Sequence, residues 1–357
     1  MIMIDHDNLS VPGGLPAKKN PPPPYPGLTR SDTHKMMISP PLLARLRIGC
    51  SIAIRHHRRL SSAAREMVQT GIDEDKGVAI LVLNRPPANS LSLEMNEAIS
   101  SSIRGIEENN PKVQSVILAS SNPTIFSAGL DVAELIAPDP DRLGRFWNSL
   151  QQVYVDLYGS RLATVACIHG HAPAAGCFLA MACDYRVMYA GGNISGRKHV
   201  PTIGLNETQL GIAAPPWMGQ LLVRTIGFRR AELALAMGTL YSPQTALGIG
   251  LVDEIVSSDT EQSVKDELQA LLPDKIMKDQ ASNPVMQQAY NQAALFAQIP
   301  PQARVASKMV TRSEHLEDMI ANRQQDTDHF CNFVTQEEVQ NNLREYIQKL
   351  KTKREKK

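Results

Sequence analysis

The spacing of hydrophobic residues changes along the chain, and the spacings predict an α/β fold. A continuous apolar run at 78–83 and mostly apolar segments at 113–119, 164–168 and 185–189 indicate β-strands. Between the first two runs, apolar residues fall near helical spacing from Leu93, with Ser92 as a possible N-cap. A longer amphipathic pattern from 141 to 158 predicts a second helix, whose apolar side we assign to the core and not to a cofactor site. Strands that alternate with helices at this spacing predict a sheet with crossover connections.

After the fourth strand the pattern becomes mostly helical. A loop at 191–204 is followed by a helix at 227–240, a helix that Ser242 and Pro243 begin, and a last short strand within 248–256. Beyond residue 259 only helices are predicted, at 260–272, 284–298, 301–312, 314–332 and 336–352. We therefore predict a core domain at 74–258, a helical region at 259–352 that packs on the core or on a neighbouring subunit, and a frayed basic tail at 353–357.

The first 70 residues differ in composition from the rest. Residues 1–35 are polar and rich in proline, so we predict a disordered extension. Residues 36–70 carry six arginines spaced by apolar residues, and no acidic residue occurs between Asp32 and Glu66. An amphipathic segment that is rich in arginine and serine and free of acidic residues is typical of a mitochondrial transit peptide. The alternative is a disordered basic tail.

Composition limits the classes of function. With 357 residues, 43% of them hydrophobic, the chain can bury a large core, and its net charge of +1 makes nucleic acid an unlikely main partner. No uninterrupted apolar run of about eighteen residues occurs, so we predict no transmembrane helix. Five scattered cysteines without paired metal-ligand spacing indicate reduced thiols.

Three segments rich in small residues each follow a predicted strand and lead into a helical segment. The first is Phe126-Ser127-Ala128-Gly129-Leu130-Asp131, the second runs from Gly170 to Asp184, and the third is the stretch 206–217. Small residues allow the backbone to approach a ligand, and the start of a helix presents unpaired N–H groups that favour negative charge. His169 and His171 could be metal ligands, but two histidines without nearby carboxylates or cysteines are more often structural.

Glu207 in the third segment is the candidate catalytic base. No Lys, Arg or His lies between Leu205 and Trp217 to pair with it. Partial desolvation would raise the pKa of this carboxyl towards neutrality and make it a proton-transfer group. The alternative is a solvated loop glutamate. Two sets of backbone donors beside one carboxylate form a site that could stabilise an oxyanion and move a proton next to it.

Four blocks in this order give the chain a family resemblance, which covers roughly residues 74 to 350: Arg85-Pro86 with Asn89-Ser90-Leu91, the segment 126–131, the segment 170–184, and Asn206-Glu207-Thr208-Gln209-Leu210-Gly211. Together they resemble the crotonase (enoyl-CoA hydratase/isomerase) superfamily, and within it most resemble the mitochondrial enoyl-CoA isomerases. The resemblance implies an α/β spiral of repeated ββα units, a C-terminal helical trimerisation region, and a homotrimer in the mitochondrial matrix that acts on acyl-CoA without a metal or redox cofactor.

The resemblance also implies roles for individual residues. It places the oxyanion hole at the backbone N–H groups of Leu130 and Ala175, and the catalytic acid and base at Glu207. Ala175 stands where the family usually has glycine, and the 191–204 loop is a few residues longer than usual. Substrate-binding positions carried over in the same way are Ser127, Ala128, Gly129, Ala174, Gly176, Asn206, Pro215 and Trp217.

Phe178 favours one chemistry within the family. Hydratases of the family have a second glutamate at this position, which the addition of water requires, whereas moving a double bond requires one group that takes and returns a proton. The expected reaction is the conversion of cis- or trans-3-enoyl-CoA to trans-2-enoyl-CoA in fatty-acid β-oxidation. The alternatives are a hydratase or another crotonase reaction, and a CoA- or RNA-binding protein that has lost the chemistry.

Overall fold

The computed structural model describes residues 67–194, 196–257, 268 and 283–355. The predicted Pro-rich extension, the transit-like segment up to residue 66 and nearly all of the predicted helix 260–272 lie outside these residues. No helix within the described ranges is long and apolar enough to cross a membrane.

A six-stranded sheet forms the centre of the fold, and its strands lie in the order β1 (Val68–Asp73), β2 (Val78–Leu83), β3 (Ser115–Ser120), β4 (Ala163–Ile168), β6 (Tyr185–Tyr189) and β10 (Glu254–Val256). β1 is antiparallel to β2, and the other neighbouring pairs are parallel. Every residue of β2, β3 and β4 is buried, as expected for strands covered on both faces.

A second, smaller layer is formed by extended segments that follow the strands of this sheet along the chain. β5 (Ala172–Pro173) pairs in parallel with β9 (Ile203–Gly204), and isolated bridges join Leu91 to Leu130 and Ile125 to His171. Successive units of the chain add a strand to the large sheet, an extended segment to the small layer, and then a helix. The structure thus confirms the predicted α/β spiral of ββα units.

The helices of the core follow the predicted pattern, except for the helix Pro216–Ile226, which was not predicted. Ser92 caps α1 by accepting a hydrogen bond from the Met95 N–H, and the helix that was predicted at 141–158 begins one residue earlier. The first six helices are α1 Leu93–Asn109, α2 Pro140–Tyr158, α3 Ala175–Ala182, α4 Pro216–Ile226, α5 Phe228–Met237 and α6 Pro243–Gly248.

The helical C-terminal region covers the core from two sides. Buried side chains of α7 (Pro284–Ala297) pack on one face of the large sheet, and α9 (Arg323–Val334) contacts α2. α10 (Glu337–Glu355) contacts the 3₁₀ turn Glu207–Leu210. A buried ion cluster fixes α8 (Pro301–Ala321), because Asp184 lies 2.9 Å from the Lys308 amine and 2.7 Å from the Arg312 guanidinium.

Four details differ from the predictions. β1 extends the sheet into the end of the transit-like segment, and its mixed burial pattern explains why it was missed. Only 254–256 of the predicted strand 248–256 is extended, because Gly248 ends α6 and Gly250 turns the chain at φ +78°. α8 continues through residue 313 and stops before Asn322, so the predicted break was misplaced. The 191–204 loop contains a hairpin of β7 (Gly192–Ile194) and β8 (Arg197–His199) before β9.

Candidate active site

The parallel bridge between Leu91 and Leu130 orients the first candidate oxyanion donor. Leu91 donates its N–H to the Gly129 carbonyl at 2.8 Å and accepts from the Asp131 N–H at 2.9 Å. Both hydrogen bonds use the residues that flank Leu130, so the N–H of Leu130 points away from Leu91. Within the described residues it has no backbone acceptor, which leaves it able to donate to a ligand.

The start of α3 provides the second donor. The Ala174 carbonyl accepts the Phe178 N–H at 3.1 Å, so the amides of Ala175, Gly176 and Cys177 in the first turn have no partner within the helix. The positive φ falls on Ala174, with φ +51° and ψ −126°, whereas Ala175 is the first helical residue. The alanine in place of the usual glycine at 175 therefore causes no backbone strain.

Two glycines allow the two donor segments to approach each other. Gly129 has φ +87°, and a Cβ on it would lie 3.1 Å from the Ala175 amide nitrogen. A Cβ on Gly176 would lie only 2.3 Å from the Ser127 carbonyl oxygen. Glycine is required at 176, since any side chain would separate the two backbones that present the N–H groups.

The short β5–β9 ladder places Glu207 beside these donors. Ala174 donates its N–H to the Gly204 carbonyl at 2.8 Å, three residues before Glu207. The Glu207 carboxylate also raises the pKa of the Cys177 thiol in the first turn of α3, although burial of the thiol is the larger cause. The base and the second oxyanion donor therefore lie at the same end of the sheet.

Glu207 is buried, with 6% of its surface exposed. Its Oε2 atom has no hydrogen-bond partner, and no cation within the described residues forms an ion pair with it. Desolvation raises the pKa of this carboxyl to about 7, and a backbone hydrogen bond offsets part of the rise. Such a group can take a proton and return it near neutral pH.

An aromatic cluster packs beside the start of α3. Phe178 is fully buried, and the Trp217 ring lies edge-on to it at a centroid distance of 5.0 Å. Tyr154 contacts both rings at 5.7 Å and 5.4 Å. In the described part of the chain, Phe178 thus has apolar aromatic neighbours and not a second carboxylate. Tyr154 was not predicted to lie beside the site, because it belongs to the apolar side of the helix 141–158, which was assigned to the core.

The indoles of this cluster are fixed by a residue of the C-terminal region. Asp326 Oδ2 accepts hydrogen bonds from Trp147 Nε1 at 2.7 Å and from Trp217 Nε1 at 3.1 Å. It also accepts from Gln151 at 2.8 Å. Asp326 was not predicted, because no local pattern indicates a contact across more than one hundred residues.

The other predicted substrate-binding positions have different surroundings. Ala128 is exposed, and its N–H donates to the Ala88 carbonyl. The Ser127 hydroxyl is buried and donates to the Asn89 carbonyl at 2.8 Å, so it stabilises the loop. Asn206 has a buried side-chain oxygen without a hydrogen-bond partner beside Glu207. Pro215 precedes α4, and its carbonyl accepts the N–H groups of the first turn.

The histidines and cysteines of the described chain have structural surroundings. His169 donates from Nε2 to the Asn122 carbonyl at 2.6 Å, and burial lowers the pKa of this imidazole to about 4. His171 Nδ1 accepts the Thr202 N–H at 3.1 Å. Among the described residues no group of three His, Cys, Asp or Glu side chains could hold a metal ion. Cys167, Cys177, Cys183 and Cys331 are free thiols, and Cys50 lies outside the described residues.

The chain is similar to several known proteins. The family profile described as enoyl-CoA hydratase/isomerase matches residues 73–280. The chain is 36% identical to mouse mitochondrial enoyl-CoA delta isomerase 1 over 308 residues, which is 86% of this chain and 94% of the mouse protein. It is 29% identical to rat mitochondrial methylglutaconyl-CoA hydratase over 53% of this chain and 57% of that protein. The crystal structure of human mitochondrial delta3-delta2-enoyl-CoA isomerase matches with a TM-score of 0.69 and 34% identity, covering 80% of this chain and 99% of the human one.

Proposed function

Because the chain belongs to the enoyl-CoA hydratase/isomerase family, we propose that it is an enoyl-CoA delta isomerase, which converts cis- or trans-3-enoyl-CoA to trans-2-enoyl-CoA in fatty-acid oxidation. The observation that carries the proposal is the buried carboxylate of Glu207 near two backbone donors without a backbone acceptor, with Phe178 where a second acid would be needed for hydration. The similarity to enoyl-CoA delta isomerases over most of both chains supports the same reaction.

The two amides would stabilise the charge that develops on the thioester oxygen. When the C2 proton leaves a 3-enoyl thioester, the electron pair delocalises into a dienolate whose negative charge rests mainly on this oxygen. The N–H groups of Leu130 and Ala175 would donate to it from fixed positions, so that they need no reorganisation during the reaction. Removing one such donor typically costs on the order of 3 kcal/mol of transition-state stabilisation.

Glu207 would carry the proton. The ionised carboxylate takes a proton from C2, and the resulting carboxylic acid returns a proton to C4, which shifts the double bond from C3–C4 to C2–C3. The enzyme ends in its starting protonation state, and no electrons leave the substrate. A pKa of about 7 suits both halves of this cycle, because the group is a competent base and a competent acid at neutral pH.

Phe178 favours isomerisation over hydration. A hydratase holds a water molecule between two acid/base groups, whereas the side chain at 178 is apolar and is packed against Tyr154 and Trp217. These packed aromatic rings would also keep bulk water away from the dienolate. The reaction as written is a proton transfer that needs no metal or redox cofactor. CoA is part of the substrate.

We further propose a homotrimer in the mitochondrial matrix. Apolar side chains on the helices are exposed in one copy of the chain, with Phe228 and Met237 70% exposed and Val310 73% exposed, as expected for a surface that another subunit covers. The similar isomerases are named as mitochondrial proteins, and the arginine-rich segment before the domain has the composition of an import signal.

Turnover of purified protein on cis-3- and trans-3-enoyl-CoA, with trans-2-enoyl-CoA hydration measured alongside, tests the proposal. We expect isomerisation without appreciable hydration, and we expect Glu207→Gln to abolish turnover while it retains acyl-CoA binding. Hydration at a comparable rate would favour a hydratase. Binding of acyl-CoA without turnover would favour a CoA-binding protein, and salt-sensitive RNA binding would favour the RNA-binding alternative.

A further inference from the structure

Arg85 makes two contacts that join the segments on either side of the Leu91–Leu130 bridge. Its Nη1 donates to the Ser90 carbonyl at 3.0 Å, and its Nη2 donates to Asp131 Oδ2 at 2.6 Å. Ser90 directly precedes one residue of the bridge, and Asp131 directly follows the other. The guanidinium therefore spans the same two backbone segments whose pairing turns the Leu130 N–H outward.

The backbone of Arg85 is also fixed. The Arg85 N–H donates to the Asn89 side-chain oxygen at 2.7 Å, and the Asn89 N–H donates to the Arg85 carbonyl at 2.8 Å. The Asn89 amide nitrogen donates to Ser120 Oγ at 2.8 Å, at the end of β3. The loop that carries Arg85 is thus tied to the central sheet. Because its backbone is fixed, the guanidinium of Arg85 can hold Asp131 in place.

Asp131 transmits this constraint to the candidate oxyanion donor. Its N–H is bonded to Leu91, its Oδ1 accepts the Ala133 N–H at 3.1 Å, and its Oδ2 accepts from Arg85. The Leu130 N–H belongs to the peptide between Gly129, which has φ +87°, and Leu130. The carbonyl of this peptide accepts the Leu91 N–H, and Asp131 follows Leu130 in the chain. Since glycine leaves the backbone free to rotate, the orientation of this peptide depends on the pairing of the two segments at Leu91, which the contacts of Asp131 hold from the Leu130 side.

We infer that Arg85 and Asp131 are positioning residues that aim the Leu130 N–H at the thioester oxygen, an inference that rests on the proposed isomerase function. Neither residue is placed on the reacting atoms. Their role is to hold a donor whose direction matters to the reaction rate, because a displacement of about 1 Å in an active site can cost on the order of 100-fold in rate.

Steady-state kinetics of the full chain with a 3-enoyl-CoA tests the inference through four variants. We expect Arg85→Gln and Asp131→Asn each to lower kcat by about 10- to 100-fold, with KM changed by no more than about 2-fold, because the interaction improves only in the transition state. Asp131→Asn keeps an oxygen that can accept the Ala133 N–H, so it removes mainly the pairing with Arg85. The kcat of the double variant should be no lower than that of the more impaired single variant, since the two residues act as one unit.

Arg85→Lys separates charge from geometry. Lysine keeps the positive charge but is a point donor on a flexible stem, so it cannot bridge a carbonyl and a carboxylate as the planar guanidinium does. We expect it to recover only a small part of the lost kcat. Full recovery would mean that charge alone matters, and a raised KM with unchanged kcat would mean that Arg85 contacts the substrate. Either result would overturn the inference.

Two controls exclude trivial explanations. Arg229→Gln removes an arginine from an exposed ion pair with Glu232, in which the arginine side chain is 73% exposed, and should leave the kinetics unchanged. Binding of a saturated acyl-CoA by calorimetry should persist in every variant, since the substrate site would remain folded. If the unmodified chain turned over no 3-enoyl-CoA, the proposed function would fail. If it did so and the Arg85 and Asp131 variants were equally active, only this inference would fail.

Discussion

Glu207→Gln should make the protein more stable at alkaline pH while it abolishes turnover. In the folded chain the pKa of Glu207 is about 7, against 4.5 for an unperturbed glutamate. Below both values the carboxyl is protonated in the folded and unfolded chains, so it contributes nothing to the pH dependence of stability. Between them the unfolded chain loses the proton and the folded chain keeps it, so the free energy of unfolding falls as pH rises.

The size of the effect follows from this difference in pKa. At about 1.4 kcal/mol per unit of pKa, burying the ionised carboxylate costs the folded state about 3 kcal/mol once the pH exceeds 7. Between pH 5 and pH 8.5 about 2 to 3 kcal/mol of this cost develops. Glutamine has nearly the same shape and does not ionise, so the variant should avoid the cost, and any pH-independent effect of its amide cancels when the two pH values are compared.

Chemical denaturation of both proteins at pH 5 and pH 8.5, at one protein concentration, measures the effect. We expect the stability of the variant relative to the parent to increase by about 2 to 3 kcal/mol between the two pH values. The same titration should appear in the activity of the parent, whose kcat/KM should rise through pH 7 as the base of the free enzyme ionises. A difference in stability that does not change with pH would refute the assignment of Glu207 as a desolvated base.

Four other substitutions test the packing of the fold. Gly176→Ala should abolish activity and lower the free energy of unfolding by more than about 2 kcal/mol, because the new Cβ meets a carbonyl oxygen at 2.3 Å. Gly105→Ala, where a Cβ meets no atom within 4 Å, should instead stabilise its helix by about 0.5 to 1 kcal/mol in the same denaturation assay. Asp326→Ala removes the acceptor of two indole N–H groups, so it should shift the tryptophan fluorescence and cost about 2 to 3 kcal/mol. Lys308→Met leaves Asp184 short of one buried partner and should cost about 3 kcal/mol in thermal unfolding, and an unchanged melting temperature would contradict it.

The sequence allowed prediction of the features that depend on local pattern. Continuous apolar runs identified β2, β3, β4 and β6, because strands buried on both faces contain hardly any polar residues. The isolation of Glu207 from cations was also readable, since it concerns neighbours along the chain. The prediction that its pKa should rise agrees with the burial of this side chain.

The features that were missed depend on distant contacts or on backbone geometry. β1 alternates small, polar and apolar residues, and it is held in the sheet by its pairing with β2 rather than by its own pattern. Arg85 and Asp131 stand 46 positions apart, and nothing local distinguishes them from two exposed charges. The break in the C-terminal helices at Asn322 has no proline or glycine to indicate it.

The two-residue ladder of β5 and β9 lies between the β7–β8 hairpin and Glu207 along the chain. The chain enters the hairpin region at Ala190, whose N–H is bonded to the Val256 carbonyl at 2.8 Å, and it is fixed again where Thr202 accepts the Ala172 N–H at 2.8 Å. With both ends held, the residues between them can change in number at a modest entropic cost while the carboxylate keeps its place. The turn around Gly196 is therefore the point near the site where an engineer could insert a peptide tag or a binding loop and keep a working catalyst.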